Sequence, residues 1–160
     1  MIKGLMQIFM GNQPDKNYLK SNSITRVQIP EIDLNHLFEE LNFVIQSEDP
    51  LKVQEVSQRI LDSLRAGTEI TVPVSVSIGR KNKSKYGYVK MLKGREHKMR
   101  LFTHTYKRDK PRKAKVFLNT LIHEFMHVYD IEKIKLRKTI HCKGFYDRIH
   151  HLMELFKVEN

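Results

Sequence analysis

The stretch LIHEFMHVYD, residues 121–130, holds His123, Glu124 and His127 in the order H-E-F-M-H. On a helix, residues four apart project from the same side, so His123 and His127 can offer two imidazoles to one ion. Glu124 lies about 100° round the helix from His123 and can reach a water on that ion without being a ligand. Zinc brings the pKa of such a water towards ~7. A carboxylate can then take its proton as it attacks a carbonyl, and later pass a proton to the leaving amine. The competing reading is a helix that carries two histidines by chance. With eight histidines in 160 residues, random placement produces H-E-x-x-H roughly 3% of the time, so the surroundings must decide. Phe125 and Met126 inside the motif are apolar, which points to a buried helix. Buried histidine and glutamate need partners, and a metal is one.

A zinc hydrolase commonly takes three protein ligands and keeps one position open. The metzincin spacing needs a histidine six residues past His127, but Lys133 stands there and excludes that class. His141 is one candidate, ahead of a later helix in HCKGFYDRI. Glu154 is the other, with a solvated helix charge as its alternative role. His150 and His151 read as surface residues, and His36, His97 and His104 lack ligand spacing. Asp130 reads either as an acceptor that orients a ligand or as an exposed helix acid. Tyr86, Tyr88 and Tyr106 are candidate donors to an oxyanion.

Several elements must position these groups. Leu34, Leu37, Phe38, Leu41, Val44 and Ile45 recur at helical spacing. Asp49-Pro50 supplies a cap and a first-turn proline for a second helix with Val53, Val56, Ile60, Leu61 and Leu64 on one stripe, ended by Gly67. In EITVPVSVSIG the period changes to two, and Pro73 pushes that strand towards a sheet edge. YGYVKML and HKMRLFTHT predict two more strands. Helical period returns from residue 114 to about 135, and again through Phe145, Ile149, Leu152, Met153 and Phe156. The order α-α-β-β-β-α-α predicts an α+β fold with a small three-stranded antiparallel sheet. Residues 1–30 read as a loosely packed N-terminal arm, and residues 31–160 as a single domain.

Apolar content of 40% and charged content of 29% exclude a disordered chain. The one cysteine, Cys142, excludes an internal disulfide and a four-cysteine zinc ribbon within these residues. MIKGLMQIFMGNQPDK is too short and broken an apolar run for a signal peptide or anchor, so the expected location is cytoplasmic, with no membrane partner. The net charge of +11 is concentrated. Residues 80–115 hold fifteen Lys and Arg against Glu96 and Asp109, a local +13. Such a block attracts polyanions. Arg80, Lys81, Lys83, Lys85, Lys107, Arg108, Lys110, Arg112 and Lys113 are candidates for neutralising phosphates, with Tyr86, Tyr88, Phe102 and Tyr106 available to stack on unpaired bases. A solvated sheet face with core aromatics is the plain alternative.

Four stretches resemble the SprT family, which includes bacterial SprT proteins and the eukaryotic protease Spartan. VFLNTLIHEFMHVYD resembles the family's metal helix, and HCKGFYDRI its third-ligand segment, with Phe145 four residues after His141. SKYGYVK and HKMRLFT resemble the two strands that precede that helix. The resemblance covers roughly residues 33–156 and implies a zincin-like fold in a minimal form without the family's C-terminal zinc ribbon. It also implies one zinc ion, held by His123, His127 and His141, with Glu124 as general base. The implied activity is that of a zinc metalloendopeptidase on protein substrates. In Spartan-type members the substrates are proteins crosslinked to DNA, and DNA activates the domain, so single-stranded or protein-crosslinked DNA is the implied partner. The family's third ligand is commonly followed by glycine, where this chain has Cys142. The alternative function is a nucleic-acid-binding module whose zinc site is structural or catalytically inactive.

Overall fold

Phe117, Leu118, Leu121, Ile122, Phe125 and Met126 have no exposed surface. The helix that carries them therefore runs through the centre of the molecule. The computed structural model describes residues 15–92 and 94–158. Its elements are α1 (Lys16–Ser23), α2 (Asn35–Gln46), α3 (Pro50–Thr68), β1 (Val74–Gly79), β2 (Gly87–Lys90), β3 (His97–Phe102), α4 (Ala114–Glu132) and α5 (Lys143–Leu155). The fold is α+β. The central helix α4 packs against α2, α5, β2 and β3, while α3 covers β1. One apolar core joins all of these layers. No helix among the described residues is long and apolar enough to cross a membrane. The apolar run at residues 2–10 lies outside the described residues.

The α2 and α3 helices follow their apolar stripes. The Asp49 carboxylate caps α3 by accepting from the Leu51 and Lys52 amides at 3.1 and 3.4 Å, with Pro50 in the first turn. Gly67 does not end α3 as its sequence suggests. The helix continues to Thr68, and Glu69 takes the left-handed turn at φ 59°. A side chain at Gly67 would meet Ile29 at 2.8 Å, so the glycine makes room for an incoming segment.

The sheet is mixed, not antiparallel throughout. Its order is β1-β3-β2, with β1 parallel to β3 (Val74 opposite His97) and β2 antiparallel to it (Gly87 opposite Leu101). Alternation of apolar residues is the same for both strand directions, so it could not decide between them. Burial does explain the order. His97, Met99 and Leu101 of β3 are buried, as a central strand requires, whereas β2 is four residues long with alternate residues exposed. The chain passes the place of β3, lays β2 at the far edge and turns back between the two. β1 forms the other edge, in keeping with Pro73.

The expected loose arm is corrected from residue 15 onward; residues 1–14 lie outside the described residues. Residues 16–23 form α1, capped by the Asp15 carboxylate on the Asn17 amide, and α1 docks on α5. The contact is close because residue 144 is glycine. A Cβ there would run into the Ser21 carbonyl and lie 2.8 Å from the Asn22 Cα. The Gly144 amide donates to Asn22 Oδ1 at 3.1 Å, and Asn17 holds the backbone of Arg137 and Lys138. This helix thus straps down the α4–α5 connection. We expect Gly144→Ala to force α1 away and to cost about 1–3 kcal/mol, as overpacking does. A urea unfolding midpoint equal to that of the wild type would show that α1 does not pack there.

Candidate metal centre

Position within α4 settles the first two histidines. Its apolar residues face the core on both sides, while His123 and His127 share the face towards the α4–α5 connection, with ring centroids 5.0 Å apart. His141 comes from that connection, two residues before α5 begins at Lys143, with Cys142 as the cap position between them. The His141 Nε2 lies 3.2 Å from His123 Nε2 and 3.2 Å from His127 Nε2. Bonds of 2.0–2.1 Å in a tetrahedron put neighbouring nitrogens about 3.3–3.4 Å apart. The two distances from His141 are close to that edge. His123, His127 and His141 therefore lie close enough to hold a metal ion. Three imidazole nitrogens suit a borderline-soft divalent ion, where calcium or magnesium would want oxygens.

The electrostatics favour the same state. Burial, with His123 and His141 beside it, lowers the pKa of His127 to about 4. Burial and His141 lower that of His123 as well. Both rings are neutral at pH 7, which is the form that binds a metal. Burial raises the Glu124 carboxyl to about 7, against the opposing pull of the Val89 amide and of Lys85. The ring of Phe145, without exposed surface, packs 5.0–5.1 Å from all three histidine rings and forms the dry floor of the site.

A cavity of about 370 Å³ opens beside His123 and Glu124, between α4 and the start of β2. Gly87 lets the two elements approach, since a Cβ there would sit 2.7 Å from Leu101 and 2.9 Å from Thr120. The Phe102 amide donates to the Tyr86 carbonyl at 3.1 Å. Antiparallel alternation then turns Tyr88 and Lys90 towards β3, and the peptide groups of Gly87 and Val89 towards the free edge. The Val89 amide is spent on Glu124.

The other sequence candidates separate clearly. Glu154 is exposed on α5, in a different cavity with Arg26 and Lys157, and takes no part in the histidine cluster. His151 is buried rather than at the surface, its Nδ1 accepting from the Val27 amide at 2.9 Å, while His150 is exposed. His97 and His104 are buried against Glu132 and Glu48. Asp130 is not an exposed acid; it is fully buried and paired with Arg148 at 2.8 Å. Thr139, on His127, and Tyr146, whose ring lies 6.3 and 6.2 Å from His123 and His141, were not legible beforehand. Tyr146 follows the HCKGF segment directly, which was the available signal.

The basic candidates also divide. Lys83, Lys85, Lys107 and Arg108 line a cavity of about 500 Å³ that holds no acid and includes the exposed rings of Tyr86 and Tyr106. Arg80 is forked on Asp109 at 3.1 and 3.2 Å, and Lys81 lies 3.6 Å from the same acid. Lys110 and Lys113 are exposed outside that cavity. Arg112 is removed from the list of phosphate contacts. It is 3% exposed and donates to the Tyr86 and Phe102 carbonyls and the Thr120 hydroxyl. Phe102, equally buried, has no face to offer a base.

Compared with protein-family models, curated proteins and solved structures, the chain matches none. The site must therefore be tested on its own residues. We expect the purified chain to hold one equivalent of metal, and His123→Ala, His127→Ala and His141→Ala each to lose it, while Glu154→Ala retains it. Elemental analysis checks this, and loss of metal in the Glu154 variant would displace His141.

Proposed function

We propose that this chain is a zinc-dependent endopeptidase of the SprT-like type, built on a zincin-like fold. The observation that carries the proposal is the meeting of three histidines, with His141 Nε2 at 3.2 Å from both His123 Nε2 and His127 Nε2, and with Glu124 on the helix that carries the first two. Zinc held there would supply a Lewis acid that acidifies water and polarises a carbonyl.

The chain's own groups would do the rest. Glu124, with its carboxyl raised to about 7, is matched to taking a proton from water near neutral pH and returning it to a leaving amine. The Val89 amide favours the ionised form of that carboxyl. The free edge of β2 offers the Gly87 peptide group to an extended substrate, which would add to the sheet as a further strand. Tyr146, half exposed beside two of the histidines, is better placed to donate to an oxyanion than Tyr88 or Tyr106. Tyr86 lines the cavity on the opposite side. Glu124→Gln keeps the shape of the side chain and removes the base. We expect it to retain a full equivalent of zinc while cleavage of a protein substrate falls by at least about 100-fold. Wild-type cleavage by this variant would exclude Glu124 as the base.

The basic cavity supports a DNA-associated substrate. It shares Ser84, Lys85 and Tyr86 with the cavity at Glu124, so a strand bound along it would end beside the proposed site of cleavage. The same cavity supports the second reading, a nucleic-acid-binding module whose zinc is structural or inactive. Both readings require phosphate contacts. Affinity for single-stranded DNA should fall at least about 10-fold between roughly 50 and 200 mM salt. Weak binding that does not change with salt would remove DNA from both. Zinc and salt-sensitive DNA binding without proteolysis would select the second.

A further inference from the structure

Among the described residues, His127 is the only one of the three clustered histidines whose Nδ1 has a hydrogen-bond partner, the Thr139 hydroxyl at 2.8 Å. A hydroxyl has one proton to give. The Thr139 hydroxyl donates it to Asp130 Oδ2, at 2.9 Å. Asp130 in turn receives the Arg148 guanidinium on its other oxygen at 2.8 Å, and neither side chain has exposed surface. Burial pushes the Asp130 carboxyl up, with Arg148 and Thr139 pulling against it. The guanidinium stays charged, and no other carboxylate among the described residues pairs with it, so the ionised carboxylate is the state that balances the buried cation. An ionised carboxylate can only accept.

The proton count then runs in one direction. Asp130 takes the Thr139 proton, the Thr139 oxygen is left to accept, and His127 must carry its proton on Nδ1. Its Nε2 is thereby bare, and this is the atom that faces His141 Nε2 at 3.2 Å. A free neutral imidazole prefers the opposite tautomer, with the proton on Nε2, which would block that position. We propose that Thr139 is a positioning residue that fixes His127 in its metal-binding tautomer, a role that rests on the three histidines holding a metal.

The relay is anchored beyond the site. Arg148 also donates to the Ser21 and Ile24 carbonyls at 2.7 and 2.6 Å and to the Ser21 hydroxyl at 3.1 Å. Asp130 is thus aimed by a guanidinium whose terminal nitrogens also grip α1 and its end. Neither Thr139 nor Asp130 touches the clustered nitrogens, so the effect reaches them only through the hydrogen bonds.

The test uses the full chain and Zn2+ alone, titrated in competition with a chromophoric chelator. Thr139→Val keeps the shape and removes the hydroxyl, and should weaken zinc binding 10- to 100-fold, the usual effect of losing a group that orients a ligand. Thr139→Ser restores the hydroxyl and should restore wild-type affinity. Nitrogen-15 spectra of the metal-free wild type should place the His127 proton on Nδ1, and those of Thr139→Val should show it moved to Nε2 or shared. Equal zinc affinity in Thr139→Val and wild type overturns the proposal, as does a serine variant as weak as the valine one. If the valine variant does not fold, the wild-type spectrum decides, and an Nε2 proton on metal-free His127 overturns it. A wild type that takes up no zinc would refute the metal reading instead, and the tautomer would still be read from the metal-free chain.

Discussion

An arginine with no exposed surface must find its partners inside the molecule, and the two terminal nitrogens of Arg148 find them in Asp130 and at Ser21 and Ile24, while its Nε has none among the described residues. That ion pair joins α5 to α4 and both to α1. Removing one partner would leave a buried charge uncompensated, which costs about 3–5 kcal/mol. A hydrophobic pair of the same volume would avoid that risk. The charged pair does something a hydrophobic pair cannot, because the second oxygen of Asp130 reaches the α4–α5 connection through Thr139. The third histidine arrives on that connection, two residues later. The interaction that holds the helices together is therefore also the one that sets where the connection lies.

Close approach is the second constraint, and glycine makes it possible at two places. Gly144 lets α1 lie on the start of α5, immediately after His141, and Gly87 lets β2 reach α4 at Thr120. The first lies beside the segment that carries His141, and the second beside the cavity at His123 and Glu124. On the α1 side, the Cys142 thiol meets the Ser21 hydroxyl at 3.3 Å. Cys142 occupies the position after the third histidine, and here its thiol fills a buried contact with α1. On the β2 side, Val89 supplies the amide that holds Glu124.

Much of this was legible, and the limits have physical causes. The central helix could be read because its apolar spacing and the H-E-F-M-H pattern coincide on one segment. Asp49-Pro50 marked the start of α3 because capping is local chemistry, carried by two adjacent residues. His141 stood out against Glu154 only through the resemblance, since a fourteen-residue separation is permissive and the chain path between them decides the geometry. Strand direction was hidden, because alternation records which face is buried and not which way the strand runs. The α1 helix was hidden because it is mostly polar, with a single buried residue, Ser21, and its stability comes from distant backbone partners. Arg112 and Arg148 illustrate the same limit. An arginine that serves buried carbonyls looks, in sequence, like one that serves solvent.

The charges at the site follow from one cause. The Phe145 floor and the buried faces of α4 shield part of the site from solvent, and that burial lowers the pKa values of His123 and His127 while raising Glu124. Neutral rings need shed no proton to bind a cation, and a carboxyl near neutrality exchanges a proton readily in either direction. The positive block does not undo this, because its charges are kept at a distance. Arg80 and Lys81 are occupied by Asp109, Arg112 is turned into the fold, and Lys83, Lys85 and Lys107 stand around an adjoining cavity. Lys85 alone among them borders both cavities. Its pull on Glu124 is weaker than the effects of burial and of the Val89 amide, so the carboxyl stays near neutrality. A strongly basic chain can thus keep a partly buried, nearly uncharged centre beside a cavity lined by lysines and arginine.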